Sequence, residues 1–306
     1  MVDGIVLYSG GLDSLLAAKA LINQNLKIVG FHCVLPFVSQ KIDLSLTEPA
    51  KLAKQINLPL KFYRCDKEYI EMLKNPAHGY GKNMNPCVDC KIFFIKKAFE
   101  YMNEISAKFI ATGEVVGQRP MSQMKHMLNH IINETDTDNK LLRPLSAKLL
   151  KPTIVEIEGL VNRDLLYDIN GRSRKRQMEL AKEFNITSYS SPGGGCLFTD
   201  PFISKRVKDL IDHHDDAMPV DFYLLTIGRH FRINESLKVI IARNEEENNI
   251  LLLYKNDSVL FFEPEYRGPI AFVKGFCSES DLEIICKIIS RYGKPELHDC
   301  NVDVYN

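Results

Sequence analysis

Ser9-Gly10-Gly11-Leu12-Asp13-Ser14 puts two glycines, two hydroxyls and a carboxylate into six consecutive residues. Glycines let the backbone approach an anion closely, hydroxyls add donors, and a helix beginning here would offer unpaired N–H groups with a favourable dipole. A phosphate suits such a loop. It is not a Walker A loop, because the Lys after the second glycine is missing, and it is not the dinucleotide GxGxxG. A plain glycine turn capped by Asp or Ser is the competing reading. Asp13 beside phosphates needs either Mg²⁺ or hydrogen bonds that hold it as a loop brace, and the Mg²⁺-linked role is the one expected.

Sulfur is the second chemistry. Cys87-Val88-Asp89-Cys90 follows Asn85-Pro86 and opens a helical pattern, so both thiols can face one point near a helix N-terminus, where thiolates are favoured. Cys196 ends Ser191-Pro192-Gly193-Gly194-Gly195-Cys196, a glycine run that lets the backbone approach a bulky group. A structural Zn²⁺ site wants four ligands, and no second CxxC or CxxH partner is evident. A [4Fe-4S] cluster can be held by three Cys with one iron left open, and that iron could carry a sulfide. Two alternatives stay open: Cys87 and Cys90 as a redox pair with Cys196 inert, or persulfide chemistry with one thiol as nucleophile and another resolving. Cys33, Cys65, Cys277, Cys286 and Cys300 lack partners at ligand spacing and read as structural. His213 and His214, beside two aspartates, read as a solvated linker.

Other candidates are less specific. The block from Ala111 to Gln123 is small and polar, as a nucleotide loop or an ordinary turn would be. Gly171 to Gln177 concentrates four positive charges at a helix start, suited to phosphates or to a solvated face. Arg229, His230, Arg232 and Arg243 could supply phosphate and base contacts to RNA.

These residues need a scaffold. Short apolar runs at 4–8, 26–35, 60–65 and 108–112 alternate with helical periodicity at 14–23, 48–55 and 90–105. That alternation predicts an α/β fold, a doubly wound parallel sheet whose ligands sit beyond the carboxyl ends of the strands. After a less regular stretch with helices at 173–184 and 204–211, periodicity breaks at 212–219. Domains are expected at 1–211 and 219–306, the second a smaller α+β unit with strands at 222–227, 237–242, 250–254 and 259–262 and a helix at 282–292.

Composition bounds the reading. Thirty-nine basic side chains balance 39 acidic ones, so no whole-chain field draws the protein to nucleic acid or to an acidic membrane. The longest apolar stretch, 26–38, is interrupted by Lys27, Gly30, His32 and Pro36, so no membrane span is expected. The start of the chain lacks the pattern of a signal peptide, and a cytoplasmic location is expected.

The hexapeptide matches at every position the SGGxDS motif of the PP-loop in the N-type ATP pyrophosphatases. That resemblance implies an adenine nucleotide alpha hydrolase-like fold and cleavage of ATP to AMP and pyrophosphate, with adenylate passing to an acceptor carbonyl. Ser9, Gly10, Gly11, Asp13 and Ser14 would then line the pyrophosphate site. Thr112-Gly113-Glu114, Gly117-Gln118 and Ser122-Gln123 are similar to the TGE…GQ…SQ segment of the tRNA 4-thiouridine synthetases. This implies nucleotide-site roles for Gly113, Gln118 and Ser122, and Arg119 would suit developing phosphate charge.

The NPCxDC and PGGGC segments resemble the three-cysteine arrangement of iron–sulfur-dependent tRNA thiolation enzymes of the PP-loop group. The implied ligands of a [4Fe-4S] cluster are Cys87, Cys90 and Cys196. Asp13, Cys87 and Cys196 are the implied catalytic residues. The segments around Arg229 and Arg243 look like an RNA-binding module of the kind appended to ribosome-quality-control proteins. Together these imply an ATP-dependent sulfurtransferase acting on a uridine or cytidine of tRNA. It would need ATP, Mg²⁺ and the cluster, with sulfide or a persulfide protein as sulfur donor. The C-terminal domain would serve RNA capture, and a homodimer is compatible with the sequence. Sulfur insertion into a small molecule and RNA binding with a regulatory nucleotide site are the alternatives.

Overall fold

The computed structural model describes residues 1–137, 139–190, 195–264, 268–293 and 302–305. Cys300 and the run Ser191–Gly194 therefore lie outside the described residues. The chain forms two compact units, Met1–Thr199 and Asp200–Asn306. The helix at 201–213 counts with the second unit, so the division falls before the expected 212–219 break.

In chain order the first unit contains β1 (Gly4–Leu7), α1 (Leu12–Ile22), β2 (Ile28–Val34), α2 (Glu48–Lys54), β3 (Leu60–Arg64) and α3 (Lys67–Lys74). There follow α4 (Cys87–Glu104), β4 (Phe109–Thr112), α5 (Lys125–Thr135), β5 (Leu141–Leu142), α6 (Ile154–Ile157) and α7 (Lys175–Glu183). The strands make a parallel sheet in the order β3-β2-β1-β4-β5. Successive side chains of a strand point to opposite faces, and here both faces are apolar. Val6 and Ala111 join a core with Leu15, Ala18, Leu52 and Leu180 from α1, α2 and α7. Ile5 and Ile110 join another with Val88, Ile92, Ile95 and Ile131 from α4 and α5. The sheet is thus doubly wound, and α3, α5 and β5 are elements the sequence reading left out.

The second unit contains α8 (Pro201–His213), α9 (Pro219–Leu224), β6 (Arg229–Arg232), β7 (Lys238–Ile241) and α10 (Glu245–Leu253). It continues with β8 (Leu260–Pro264), β9 (Ala271–Lys274), α11 (Glu279–Tyr292) and β10 (Val302–Tyr305). Its antiparallel sheet runs β10-β8-β9-β7-β6. Val239 and Ile241 of β7 pack with Ile285 and Ile289 of α11, while Ile240 packs with Leu224 and Leu251 of α9 and α10. The α+β class is as expected, but two of its expected strands are helical. The run 222–227 overlaps α9, where Pro219 opens the helix and the Asp221 carboxylate accepts the Met218 N–H at 2.8 Å. The run 250–254 lies largely in α10, whose Asn244 cap accepts the Glu247 N–H at 2.9 Å ahead of Glu245–Glu247 in the first turn. Caps upstream of each run outweighed its β-like composition. Among the described residues, no helix is long and apolar enough to cross a membrane.

Candidate nucleotide and thiol site

Strand order reverses between β1 and β4, and open α/β sheets bind ligands outside the carboxyl ends of the strands at such a point. The Ser9–Ser14 loop leaves β1 there. Its hydroxyls knit it together: Ser14 Oγ donates to Gly11 O at 2.8 Å, Ser9 N–H donates to Ser14 Oγ at 3.3 Å, and Gly11 N–H donates to Ser9 Oγ at 3.3 Å. Gly10 has φ +80°, and a Cβ on it would lie 3.2 Å from Pro49, so the turn requires glycine. No side chain caps α1, which leaves first-turn N–H groups for an anion.

The block after β4 packs directly on this loop. A Cβ on Gly113 would stand 2.5 Å from the carbonyl carbon of Asp13 and 2.6 Å from Ser14 N. Gln118 Nε2 donates to Asp13 Oδ2 at 2.8 Å and accepts through Oε1 from Gln177 Nε2 of α7 at 3.1 Å. Arg174 Nη2 lies 3.5 Å from Asp13 Oδ1, which is buried without a hydrogen bond. Gln118 thus holds Asp13 Oδ2 as a brace, while Oδ1 faces the Arg174 guanidinium. Ser122 is 2% exposed, inside a turn that the Gln123 N–H closes on Arg119 O at 2.9 Å. The basic stretch at 171–177 sends one residue, Arg174, into the site, while Arg176 pairs with Glu179 and Glu183. In the middle of β2, Phe31 is in the core beside Tyr63 and Tyr101, and His32 Nδ1 bonds Tyr8 O at 2.8 Å.

The thiols converge next to it. Ser190 forms a parallel bridge with Gly11 and sends its hydroxyl to Gly10 O at 3.4 Å. Ser190, six residues before Cys196, is thus seated on the Ser9–Ser14 loop. Cys90 lies within electrostatic range of Cys87 and Cys196, and Cys196 within range of Cys87. Asn85 Nδ2 donates to Cys87 Sγ at 3.3 Å, the Thr199 N–H closes a turn on Cys196 O at 2.9 Å, and the buried Tyr69 hydroxyl meets Cys90 Sγ at 3.0 Å. Burial pushes the Cys90 and Cys196 thiols up. That corrects the expectation that the start of α4 favours a thiolate at Cys90, because desolvation outweighs the helix terminus.

Three cysteines within electrostatic range of one another, with the Asn85 amide on Cys87 and the Tyr69 hydroxyl on Cys90, have the donor set of an iron–sulfur cluster, whose sulfurs take such hydrogen bonds. Among the described residues no three His, Cys, Asp or Glu side chains close around a single ion. The sulfur ligands of a multi-iron cluster stand farther apart than those of one ion.

Other thiols and acids differ from the sequence reading. Cys65, just after β3, is buried beside Cys33 of β2, and its thiol is raised by that neighbour and by burial. Asp89, between the two cysteines of α4, turns to His78, whose Nδ1 lies 3.0 Å away and whose Nε2 meets His130 Nε2 at 2.7 Å. Glu114 is buried and held by Lys91 at 2.5 Å, by Arg143 at 2.9 Å and by the Thr112 hydroxyl at 3.1 Å. Burial would raise its carboxyl, but the two cations bring it down to about 2. The TGE triplet contains Glu114, yet nothing in the sequence names Lys91 and Arg143 as its partners.

In the second unit the expected RNA contacts are engaged internally. Arg232 forks onto Asp209 at 2.9 Å, Arg243 pairs with Glu247, and Arg229 lies over the Tyr292 ring at 4.5 Å. His230 is held by Ile227 O at 2.8 Å, and burial with Lys238 and Arg206 nearby brings its pKa down to about 3. His214, expected in a solvated linker, is 8% exposed.

Fold and loop together define a PP-loop protein of the α/β, nucleotide-site-at-the-switch-point class. Residues 3–165 match the family described as the tRNA methyl transferase HUP domain, and the chain belongs to that family. Residues 228–306 match the NFACT protein RNA binding domain. The chain is 22% identical over 164 residues to the tRNA-specific 2-thiouridylase MnmA of Helicobacter pylori (strain HPAG1), covering 52% of this chain and 48% of that one. It is 28% identical over 162 residues to a probable tRNA sulfurtransferase of Thermococcus kodakarensis, covering 50% and 39%. The solved U34-tRNA thiolase NcsA of Methanococcus maripaludis with its [4Fe-4S] cluster is 16% identical, with a TM-score of 0.34 over 73% of this chain and 69% of that one. The chain spans about half the length of the curated relatives it matches.

Proposed function

We propose that the protein is an ATP-dependent tRNA sulfurtransferase, which adenylates a carbonyl of a tRNA uridine or cytidine and replaces its oxygen by sulfur. The observation that carries the reading is the Ser190–Gly11 bridge, which starts the Cys196 segment on the phosphate loop while Cys196 reaches Cys87 and Cys90. In the first step the carbonyl oxygen attacks the α-phosphorus and pyrophosphate leaves. The N–H groups at Gly10, Gly11 and the start of α1, with the Ser9 and Ser14 hydroxyls, take up the charge of the leaving pyrophosphate. Asp13 keeps that loop in register through Gln118, and its Oδ1 is the oxygen available to Mg²⁺ arriving with ATP. In the second step sulfur adds to the activated carbon and AMP departs with the original oxygen. A [4Fe-4S] cluster on Cys87, Cys90 and Cys196 would supply that sulfur at its iron without a protein ligand.

The thiolation enzymes among the relatives, and the RNA-binding domain matched at 228–306, support tRNA as the acceptor. A tRNA substrate places the protein in the cytoplasm. Sulfur insertion into a small molecule is the second reading, favoured by the internal pairing of Arg232 and Arg243. The test is a nucleoside mass profile of total tRNA from cells with and without the gene, grown without oxygen. Loss of one thiolated nucleoside is expected, and an unchanged profile in the absence of a redundant enzyme would reject tRNA.

A further inference from the structure

Glu114 is one carboxylate with two cations on it, Lys91 on Oε1 and Arg143 on Oε2. Burying a carboxylate is costly unless it is paired. Arg143, 2% exposed, pairs with it through Nε. Lys91, with 22% of its side chain exposed, shares in holding the charge. What it adds is a connection. Lys91 follows Cys90 in α4, and Glu114 follows Gly113, which is in tight contact with the backbone of Asp13 and Ser14. The neighbouring polar contacts of α4 lead elsewhere, Asp89 to His78 and Cys90 to Tyr69.

We propose that Lys91 is a positioning residue whose bond to Glu114 transmits nucleotide occupancy of the Ser9–Ser14 loop to the thiols at the start of α4. A loop that closes on phosphates must carry Gly113 with it, because no space separates them. Glu114 moves with Gly113, and a charge-assisted bond of 2.5 Å passes the displacement to the turn that bears Cys90. The apolar contacts of Val88 and Ile92 can slide where such a bond cannot. Coupling of this kind is reciprocal, so thiol-site occupancy would alter nucleotide affinity by the same factor. The inference rests on the ATP-binding part of the proposed function and needs neither tRNA nor sulfur.

The test uses the full chain without a cluster. Rates of iodoacetamide alkylation at Cys87, Cys90 and Cys196 are mapped by mass spectrometry, with and without α,β-methylene-ATP and Mg²⁺. In the wild-type protein the nucleotide is expected to slow alkylation at Cys90 by at least about fivefold. In Lys91→Met, which keeps the Glu114–Arg143 pair, the effect falls below about twofold, while the dissociation constant of the nucleotide stays within about threefold; Lys91→Arg restores the coupling. Lys91→Gln, uncharged but still a donor, is the second variant and behaves as Lys91→Met does. Shielding of the thiols by the nucleotide itself would survive these substitutions, so equal protection in wild type and Lys91→Met overturns the proposal. Nucleotide binding without any effect on wild-type thiols overturns it alone. Absence of nucleotide binding overturns the ATP-binding reading and the coupling together.

Discussion

At the residue scale the three thiols and Asp13 carry separable tests. If Cys87, Cys90 and Cys196 share a cluster, Cys196→Ala loses most of the iron and labile sulfide that the wild-type protein takes up on anaerobic reconstitution; full retention would leave Cys196 without a ligand role. Asp13→Ala removes the acceptor of the Gln118 bond at 2.8 Å and leaves that amide and Arg174 facing a gap. Loss of a hydrogen bond to a charged group costs about 1.5–3 kcal/mol, so ATP affinity measured by calorimetry should fall roughly 10- to 100-fold. The sequence contains both the carboxylate and the motif around it. It does not contain the brace, because Gln118, Arg174 and Gln177 are brought to Asp13 from β4 and α7 by the sheet order and the packing of α7 on α1.

At the element scale the decisive contact is the backbone-to-backbone approach of the β4 loop to the start of α1. A methyl group at Gly113 would meet the Asp13 carbonyl carbon at 2.5 Å, and main chain cannot rotate away as a side-chain tip can. Gly113→Ala is therefore expected to destabilise the first unit by about 1–3 kcal/mol and to weaken nucleotide binding. An unchanged melting temperature with unchanged affinity would show that the two segments separate freely. The same scale explains the misread elements. A short apolar run marked β1, and apolar residues recurring at helical spacing marked α1 and α4. The runs 222–227 and 250–254 are apolar in nearly every position, so their periodicity cannot separate strand from helix. The caps at Met218–Asp221 and Asn244–Glu247 decided them.

At the scale of the whole molecule, buried titratable groups make both units sensitive to acid, His32 in the first and His230 in the second. His230 in the second unit has its pKa lowered from 6.5 to about 3, chiefly by burial. The unfolded chain binds a proton there first, so stability is present above pH 6.5 and is lost progressively as pH falls from 6.5 towards 3. Glu114 in the first unit, lowered from 4.5 to about 2, contributes above pH 4.5 and loses its contribution only as pH falls towards 2. Between pH 6.5 and pH 5 the second unit is thus expected to weaken, and His230→Gln should remove part of that decline, His214 carrying the rest. A pH-independent midpoint for the wild-type second unit would contradict this assignment. Arg232 and Arg243 are held by Asp209 and Glu247, so part of their donor capacity is taken up within the unit. A gel shift with tRNA that survives Arg232→Ala and Arg243→Ala is the expected result.

The sequence by itself determined the glycine-rich loop between β1 and α1, the doubly wound class and the spacing of the cysteines, because each depends on residue type and short spacing. A glycine-rich turn between a strand and a helix needs no distant partner to be recognised. Only the tertiary structure decided which charges meet. Glu114 with Lys91 and Arg143, Cys65 with Cys33, and Asp13 with Gln118 and Arg174 are pairings between elements far apart in the chain. Sheet order and helix packing set those distances, and both are cooperative properties of the folded unit that no local pattern encodes.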